Sequence, residues 1–343
     1  MKYHKYTDYK SLENINKIYG FRMREARECY VKFSKEFKHR NCPVCDSDDY
    51  TKMPKFLDLY EVALCNVCSA SYVNPAPSLN ALDYYYNNAQ STKIFATLNA
   101  NQNNVPIQDS RIDFIAPFVE SQIKSKGKIN ILEVGCSSGT LLCNIRKFLE
   151  QNDLENCVNL VGIDLDKNAI NIASSKCGGG GNMCFYALSA EEIHKLNMKF
   201  DIIIAFDLIE HLIDTFSFMK NIRENLNKDS IFIFATPNGV GLEALVPYYK
   251  LPRIITAAIY PPMHLQAFNI HNIALFAYKN GFKLKHLDTA GIFDISILEI
   301  LKGQIKDKNL LNLLKFNDKI KAYFQYLLSV TNGGSYMRVA LKI

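Results

Sequence analysis

A short glycine-bearing segment near the middle of the chain constrains the fold more than any other feature. The run Ile131–Val134 is apolar and has the length of a buried strand, and it leads through Gly135 and Gly139 into a helix. A second apolar strand, Val158–Ile163, ends at Asp164. Glycines let the backbone of such a turn approach a ligand closely, because they have no Cβ. A carboxylate at the tip of the next strand accepts hydrogen bonds from two ribose hydroxyls, so the unit is predicted to cradle a nucleoside cofactor.

The acidic residue before the first glycine narrows the choice of cofactor. A dinucleotide site of the Rossmann type has the pattern G-x-G-x-x-G, which brings a helix N-terminus to a pyrophosphate. Here the pattern is Glu133-x-Gly135-x-Ser137-x-Gly139. A carboxylate in the first position suits a cofactor that has a cationic amino group and no phosphate. The turn therefore predicts a Rossmann-like α/β fold that holds a cofactor of this kind.

This turn resembles motif I of the class I S-adenosylmethionine (SAM) methyltransferases, with Ser137 in the place of the middle glycine. The segment Phe200–Leu212, which contains Glu210-His211-Leu, resembles the fourth strand and the following loop of that family. The resemblance covers residues 107–343 and implies a seven-stranded Rossmann-like domain. Besides the first two strands, it implies strands at Met183–Ala187, Phe200–Phe206, Ile231–Asn238, Lys283–Leu287 and Ser335–Ile343.

The same resemblance implies which residues hold SAM. Asp164 takes the position that binds the ribose hydroxyls, and the segment Ser189–Glu192 resembles the one at the adenine edge. The cofactor-binding residues implied in this way are Glu133, Gly135, Ser137, Gly139, Asp164, Leu165, Ala190, Glu191 and Asp207.

Four cysteines before this domain predict a metal site. They occur as Cys42-Pro-Val-Cys45 and Cys65-Asn-Val-Cys68. Two such knuckles bring four thiolates together tetrahedrally, and zinc is the natural ion for four sulfur ligands. A closed site of this kind is structural, so we expect the Zn²⁺ to stabilise a small ribbon and to take no part in chemistry. The other six cysteines lack paired metal spacing and are expected to be reduced thiols: Cys29, Cys136, Cys143, Cys157, Cys177 and Cys184.

The residues after the ribbon point to a substrate class. Ser71-Tyr-Val-Asn-Pro-Ala-Pro-Ser78 and Leu82-Asp-Tyr-Tyr-Tyr86 follow the last knuckle. Together with the knuckles they resemble a bacterial group of C- and O-methyltransferases with an N-terminal zinc ribbon, many of which modify sugars or surface polysaccharides. The resemblance implies a small-molecule acceptor, namely a sugar, a nucleotide-sugar or a polysaccharide precursor.

Composition and spacing suggest how the chain is divided. We expect a basic helical arm at 1–41, a zinc ribbon at 42–86, a linker or flap at 87–110, and the methyltransferase domain at 111–343 with lid insertions at 239–262 and 295–330. No run reaches the roughly 18 apolar residues of a membrane helix, and Met1–Tyr6 lacks the apolar core of a signal peptide. The expected location is the cytoplasm, and the sequence does not indicate an oligomeric state.

The arm carries the whole net charge of the chain. Residues 1–41 contain eleven Lys and Arg but five Asp and Glu, whereas the remainder is neutral. A basic arm rich in tyrosine can bind nucleic acid. A solvated helix that packs on the rest of the protein through its apolar face is the favoured interpretation.

Methyl transfer to a hydroxyl or a carbon acid requires alignment of the acceptor and removal of a proton, and histidine is the usual base near neutral pH. The candidates are His211, which follows the fourth strand, and His264, which lies in a segment that resembles the family's substrate-facing loop. A second hypothesis is that Asp207, Glu210 and His211 hold a divalent cation that polarises a substrate hydroxyl. Ubiquinone-pathway O-methyltransferases share this pattern.

Three functions are therefore compared. The leading one is a SAM-dependent methyltransferase that acts on a sugar or related metabolite. The second is an RNA methyltransferase in which the ribbon and the arm bind nucleic acid, which predicts salt-sensitive RNA affinity. The third is a SAM-binding protein without catalytic activity, which predicts that both histidines are dispensable.

Overall fold

The computed structural model describes residues 3–8, 11–94, 105–177, 182–242, 258–300, 302–305 and 308–343 of the 343 residues. Residues 95–104 of the predicted linker at 87–110 and most of the predicted lid at 239–262 lie outside the described residues. The described end of the linker segment is already helical from Val105.

Two sheets form the framework of the described structure. The strands are β1 Tyr50–Phe56, β2 Tyr60–Cys65, β3 Ser71–Val73, β4 Ile129–Val134, β5 Val158–Asp164, β6 Met183–Ala187, β7 Phe200–Phe206, β8 Leu226–Pro237, β9 Gln266–Ala267, β10 Lys283–Asp288 and β11 Tyr336–Lys342. The larger sheet has seven strands in the order β10-β11-β8-β7-β4-β5-β6. Strands β4 to β8 are parallel to one another, and β11 is antiparallel to both β8 and β10. The predicted seven-stranded Rossmann-like sheet is confirmed.

Helices cover both faces of this sheet, which explains the composition of its strands. Every residue of β7, Phe-Asp-Ile-Ile-Ile-Ala-Phe, is buried. Parallel strands covered on both faces are continuous apolar runs of this kind. The helices are α1 Leu12–Phe33, α2 Leu79–Asn88, α3 Val105–Lys126, α4 Thr140–Gln151, α5 Lys167–Lys176, α6 Thr215–Asn225, α7 Ile273–Lys279, α8 Asp294–Ile300, α9 Lys308–Leu313 and α10 Asp318–Val330.

The order of the strands places one crevice at the centre of the sheet. From β4 the chain proceeds outward through β5 and β6, and then returns to β7 on the other side of β4. Ligands of open α/β sheets bind outside the carboxyl ends of the strands where this reversal occurs. The glycine turn after β4 and the segment Asp207–His211 after β7 both lie at this edge.

The smaller sheet joins the ribbon to the large domain. Its order is β1-β2-β3-β9, and β9 comes from the loop between β8 and α7. The pairs Ser71↔Ala267 and Tyr72↔Gln266 connect β3 to β9. The ribbon therefore shares its sheet with the large domain.

Helix α1 packs on the ribbon through a buried face. Ile18, Ala26 and Cys29 are its buried residues, and the Tyr60 hydroxyl donates a hydrogen bond to the Ala26 carbonyl at 2.7 Å. This packing agrees with the favoured interpretation of the arm. Among the described residues, no helix is long and apolar enough to cross a bilayer.

The expectation that all six remaining cysteines are reduced is wrong for two of them. Cys143 in α4 and Cys177 at the end of α5 form a disulfide, with their Cα atoms 5.7 Å apart. The sequence gives no indication of this pair, because the two cysteines are 34 positions apart and meet only when α4 and α5 pack side by side.

Candidate functional site

The turn after β4 has the backbone geometry that its glycines suggested. Gly135 and Gly139 have φ values of +74° and +70°, and Ser137 has φ +48°. A Cβ on Gly139 would lie 2.9 Å from the Cβ of Ala173, closer than real side chains approach each other. Glycine is therefore required at 139 by both conformation and space. Ser137 adopts the left-handed conformation despite its side chain.

Asp164 lies at the end of β5 and faces this turn. One of its carboxylate oxygens accepts the Ser137 N–H at 2.8 Å, and the other accepts the Asp166 N–H at 2.9 Å. The side chain of Leu165 beside it is 75 % exposed. The predicted ribose-binding position and an uncovered apolar side chain thus lie next to the turn.

The predicted adenine-edge residues begin a 3₁₀ helix, Ala190–Leu196. Ser189 caps this helix in a capping box with Glu192. Glu191 is exposed in the first turn of the helix. A cavity of about 370 Å³ opens beside this segment, lined by Tyr186, Ala187, Leu188, Lys195 and Leu196.

Glu133 is a buried acid at the centre of the site. Burial raises the pKa of its carboxyl to about 8, and the neighbouring Arg111 opposes this shift. Its Oε2 atom is buried, and no group among the described residues forms a hydrogen bond with it. A buried carboxyl oxygen that lacks a partner is costly, so a ligand with a donor or a positive charge would be stabilised there.

Arg111, which no sequence motif indicates, enters the site from α3. Its Nη2 atom lies 2.5 Å from Oδ2 of Asp207 and 3.4 Å from the Tyr336 hydroxyl. The guanidinium also lies over the Phe206 ring, 5.1 Å from its centroid. Asp207 has φ +53°, so the chain turns sharply at the end of β7 and directs this carboxylate towards Arg111.

The two predicted catalytic histidines meet at the same edge of the sheet. The His211 and His264 rings have centroids 4.8 Å apart and lie nearly perpendicular. Nδ1 of His211 lies 3.0 Å from the Met263 carbonyl oxygen and 3.0 Å from the Tyr86 hydroxyl. A carbonyl only accepts hydrogen bonds, so Nδ1 carries the proton and Nε2 carries the lone pair. Burial lowers the pKa of His211 to about 4, which keeps the ring neutral at pH 7.

Glu210 adds a buried carboxyl beside these histidines. Its Oε2 accepts a hydrogen bond from Thr236 Oγ1 at 3.0 Å, and burial raises the pKa of the carboxyl to about 8. One possible ligand atom each from Glu210, His211 and His264 lies within 4.8 Å of the others. The cation hypothesis named Asp207 in place of His264. Among the described residues the grouping contains His264, while Asp207 pairs with Arg111.

The four ribbon cysteines converge as their spacing predicts. All four are buried, and their sulfur atoms lie within 4.8 Å of one another. The residue after each second cysteine, Asp46 and Ser69, has φ close to +60°. The Asp46 and Ser69 N–H groups donate to the Cys42 and Cys65 carbonyls at 2.9 Å and so close the two knuckles. Four sulfurs at these separations fit a tetrahedral metal site.

The chain matches a known protein family. Residues 107–287 match the family model Methyltransf_23, described as a methyltransferase domain. A ubiquinone biosynthesis O-methyltransferase of Rickettsia canadensis is 27% identical over 222 residues, which are 64% of this chain and 85% of that protein. A protein of the same name from Pelagibacter ubique is 28% identical over 142 residues, 40% of this chain and 55% of that one.

Two solved structures show the breadth of the structural likeness. The cyclopropane synthase MmaA2 from Mycobacterium tuberculosis aligns with a TM-score of 0.41 at 17% identity, covering 66% of this chain and 84% of that one. The plantazolicin methyltransferase BpumL aligns with a TM-score of 0.46 at 15% identity, covering 75% of this chain and 92% of that one.

Proposed function

This chain belongs to the methyltransferase-domain family, and we propose that it methylates a hydroxyl group of a small molecule. The family match and the methyltransferases among its relatives establish a SAM-dependent methyltransferase. The acceptor, the residues that hold each group and the metal sites are the subject of the proposal.

SAM supplies the methyl group, and we assign its binding to the site around the glycine turn. Gly135, Ser137 and Gly139 let the cofactor approach the backbone, and Asp164 accepts the ribose hydroxyls. Leu165 and the segment that begins at Ala190 and Glu191 would hold the adenine. The unpartnered Glu133 oxygen suits the cationic amino group, and Arg111, next to Asp207, binds the carboxylate of the cofactor.

The state of His211 is the single observation that carries the choice of a hydroxyl acceptor. Its Nδ1–H is held by the Met263 carbonyl, which leaves a neutral Nε2 lone pair at the carboxyl end of β7. Transfer of a methyl group to a hydroxyl oxygen releases a proton, and a positioned lone pair can accept it. His264, whose ring packs against His211, is the second candidate for this role.

The alternative for the same reaction is a divalent cation held by Glu210, His211 and His264. A neutral imidazole nitrogen and a carboxylate oxygen are both suitable ligands, and the three side chains lie close enough to share an ion. A cation in this position would polarise the acceptor hydroxyl. The compact arrangement of these three ligand atoms favours this hypothesis.

We propose a sugar hydroxyl as the acceptor, supported by the ribbon and by the tyrosine-rich segment that follows it. The names of the curated relatives favour a second candidate, O-methylation in ubiquinone biosynthesis. We also propose that Cys42, Cys45, Cys65 and Cys68 bind one structural Zn²⁺.

Turnover of SAM against two acceptor panels tests these proposals. One panel contains nucleotide-sugars and the other contains hydroxylated aromatic quinone precursors. Methyl transfer to oxygen in either panel supports a hydroxyl acceptor, and transfer to carbon or nitrogen refutes it. His211→Ala and His264→Ala should each lower kcat by about 10²–10⁴ if the residue acts as the base. Absence of methyl transfer in both panels, with SAM binding retained in both variants, would favour the SAM-binding protein without catalysis.

Chelation separates the base from the cation. A hard-cation chelator that leaves one zinc per chain bound should abolish activity only if Glu210, His211 and His264 hold a cation. Salt-sensitive RNA affinity that disappears on deletion of residues 1–41 would favour the RNA methyltransferase.

A further inference from the structure

Arg40 lies between the ribbon and the two histidine segments. Its Nε donates to the Val73 carbonyl in β3 at 3.1 Å. The Nη1 atom donates two hydrogen bonds, to the Ile213 carbonyl at 3.2 Å and to the Gln266 side-chain oxygen at 3.0 Å. The Nη2 atom donates to the Leu265 carbonyl at 2.8 Å. The side chain thus reaches the ribbon, the segment two residues after His211 and the residue directly after His264.

The groups that Arg40 contacts are also bonded to one another. The Leu265 N–H donates to the Glu210 carbonyl at 2.8 Å, and the Val73 N–H donates to the Leu265 carbonyl at 2.8 Å. The Gln266 amide nitrogen donates to the Ile209 and Leu212 carbonyls at 2.6 and 2.9 Å. One continuous network therefore holds the 209–213 turn, the 265–266 segment and the ribbon in register.

The chemistry of these partners explains why an arginine is needed. They are carbonyl and amide oxygens, and the guanidinium also lies 5.6 Å from the centroid of the Tyr72 ring. Desolvating a cation is expensive, and these dipoles offset the cost only if each bond has good geometry. A guanidinium supplies five donors in a fixed fork, whereas an ammonium is a point charge that cannot span four acceptors spread over three segments.

We propose that Arg40 is a positioning residue. By joining the ribbon to the segments that carry His211 and His264, it fixes the positions of these two histidines relative to each other. The proposal rests on the proposed function, since it assigns a purpose to the packing of the two histidines. The ribbon is then part of the acceptor site, because its register determines where both imidazoles lie. Arg40 itself lies outside the proposed SAM site and is not a catalytic residue.

The experiment compares Arg40→Lys and Arg40→Met with Arg27→Lys, a matched change at an exposed position of α1. Small misplacements of reacting groups cost up to about 10²-fold in rate. Both Arg40 variants should therefore lower kcat by about 10- to 100-fold. The Kd for SAM, measured by calorimetry, should stay within about twofold, and one zinc per chain should be retained. Arg27→Lys should match the wild type in each respect.

Three results would overturn the proposal. One is a kcat within about twofold of the wild type in Arg40→Lys. Another is a parallel loss of SAM affinity and kcat, which indicates general destabilisation. The third is a kcat within about twofold of the wild type in Arg40→Met, which would show that the guanidinium is not required.

Hydrogen exchange provides a readout that needs no acceptor and no variant. In the wild-type protein the Val73 and Leu265 amides should exchange together as one cooperative unit. A Leu265 amide that exchanges more than about tenfold faster than the Val73 amide would show that the two segments are not held together. This result would refute the proposal even if the Arg40 variants fail to fold. If no acceptor in either panel is methylated, the proposed function fails, and the exchange data still test whether the ribbon and the 265–266 segment are held together as the Arg40 proposal requires.

Discussion

The Tyr86 hydroxyl lies 3.0 Å from Nδ1 of His211, so α2, which follows the ribbon in the chain, reaches the proposed acceptor site. Nδ1 donates to the Met263 carbonyl, and the Tyr86 oxygen is a second acceptor beside it. Both oxygens would stabilise the imidazolium that forms if His211 takes a proton. The N-terminal segment therefore contributes a side chain to the site as well as a metal-binding ribbon.

Tyr86→Phe should slow the reaction without loss of SAM affinity. Removing one hydrogen bond to a ring that becomes charged costs about 1–1.5 kcal/mol, or about five- to tenfold in kcat. Tyr84→Phe is the matched control, because Tyr84 lies on the same helix as Tyr86 but its ring packs against Phe33 of α1. Steady-state kinetics at saturating SAM provides the measurement. Equal kcat values for the two variants would contradict the role of the Tyr86 hydroxyl.

Glu133→Gln should stabilise the SAM-free protein at alkaline pH. The folded state raises the pKa of Glu133 from 4.5 to about 8, so between these values the folded chain holds a proton that the unfolded chain has released. Stability is therefore lost as pH rises through this window, and the glutamine variant avoids the loss. At pH 9 we expect a gain of about 1–3 kcal/mol in the free energy of unfolding, and little gain at pH 4.5. Denaturant unfolding at both pH values provides the test.

Glu120→Gln, an exposed substitution on α3, is the control and should show no such pH dependence. A Glu133→Gln variant whose stability follows the wild-type pH profile would show that Glu133 is ionised in the fold. SAM should bind more weakly to this variant at pH 9, where the wild-type Glu133 is an anion beside the cationic amino group, and the difference should shrink as pH falls and Glu133 becomes protonated.

Reduction of the Cys143–Cys177 disulfide should destabilise the domain. Cross-linking residues 34 positions apart removes loop entropy from the unfolded chain, worth about 2–4 kcal/mol. Dithiothreitol should lower the free energy of unfolding of the wild type to that of the Cys143→Ser variant. It should not change the free energy of unfolding of the variant, which has no disulfide to reduce. Alkylation of the denatured, unreduced protein should modify the remaining eight cysteines, and ten modified cysteines would refute the disulfide. Cys184→Ser, at an exposed thiol, is the control.

The zinc knuckles contain a test of backbone strain. Ser69 has φ +59°, a conformation that costs an L-residue about 1–2 kcal/mol. Ser69→Gly should therefore raise the free energy of unfolding of the zinc-loaded protein by about 0.5–1 kcal/mol. Asp46→Gly should gain less, because aspartate tolerates this conformation better. Ser71→Gly, in the extended strand β3, should lose stability, and a gain there would contradict the conformational explanation.

The first two strands of the sheet could be predicted from their apolar runs, and the other five from the resemblance of their segments to a known family. The strands at Met183–Ala187 and Phe200–Phe206 agree with the prediction residue for residue. Helix α1 ends at Phe33, before the end of the predicted helical arm at 1–41, because Ser34–Glu36 tighten into a 3₁₀ turn. Element ends depend on hydrogen bonds that a hydrophobic pattern does not specify.

Single polar residues that act across the fold could not be predicted in this way. Arg111 meets Asp207 and Tyr336, which are 96 and 225 positions away, and Tyr86 meets His211 at a separation of 125. No periodicity accompanies such residues, since each contact arises only after helices pack at the edge of the sheet. The glycine turn and the cysteine knuckles could be predicted because their partners lie close in sequence or repeat a fixed spacing.

Arg111→Met should weaken SAM binding more than it affects the chemical step. The guanidinium forms an ion pair with Asp207 and is attracted electrostatically by Glu133. We propose that it binds the carboxylate of SAM. Loss of a charge-assisted hydrogen bond costs about 1.5–3 kcal/mol, so the Kd for SAM should rise by about 10- to 100-fold, while kcat at saturating SAM stays within about threefold. Calorimetry and initial rates measure the two quantities.

Lys124→Met, near the end of the same helix, is the matched control for the loss of one positive charge and should leave the Kd unchanged. The same substitution of Arg111 removes the neighbour that opposes the raised pKa of Glu133, so that pKa should rise further. SAM binding should then become weaker still as pH falls, because a protonated Glu133 cannot attract the cationic amino group. A Kd of Arg111→Met for SAM within about twofold of the wild type, or a loss confined to kcat, would contradict this prediction. Arg111 would then only pair with Asp207, and another group would bind the SAM carboxylate.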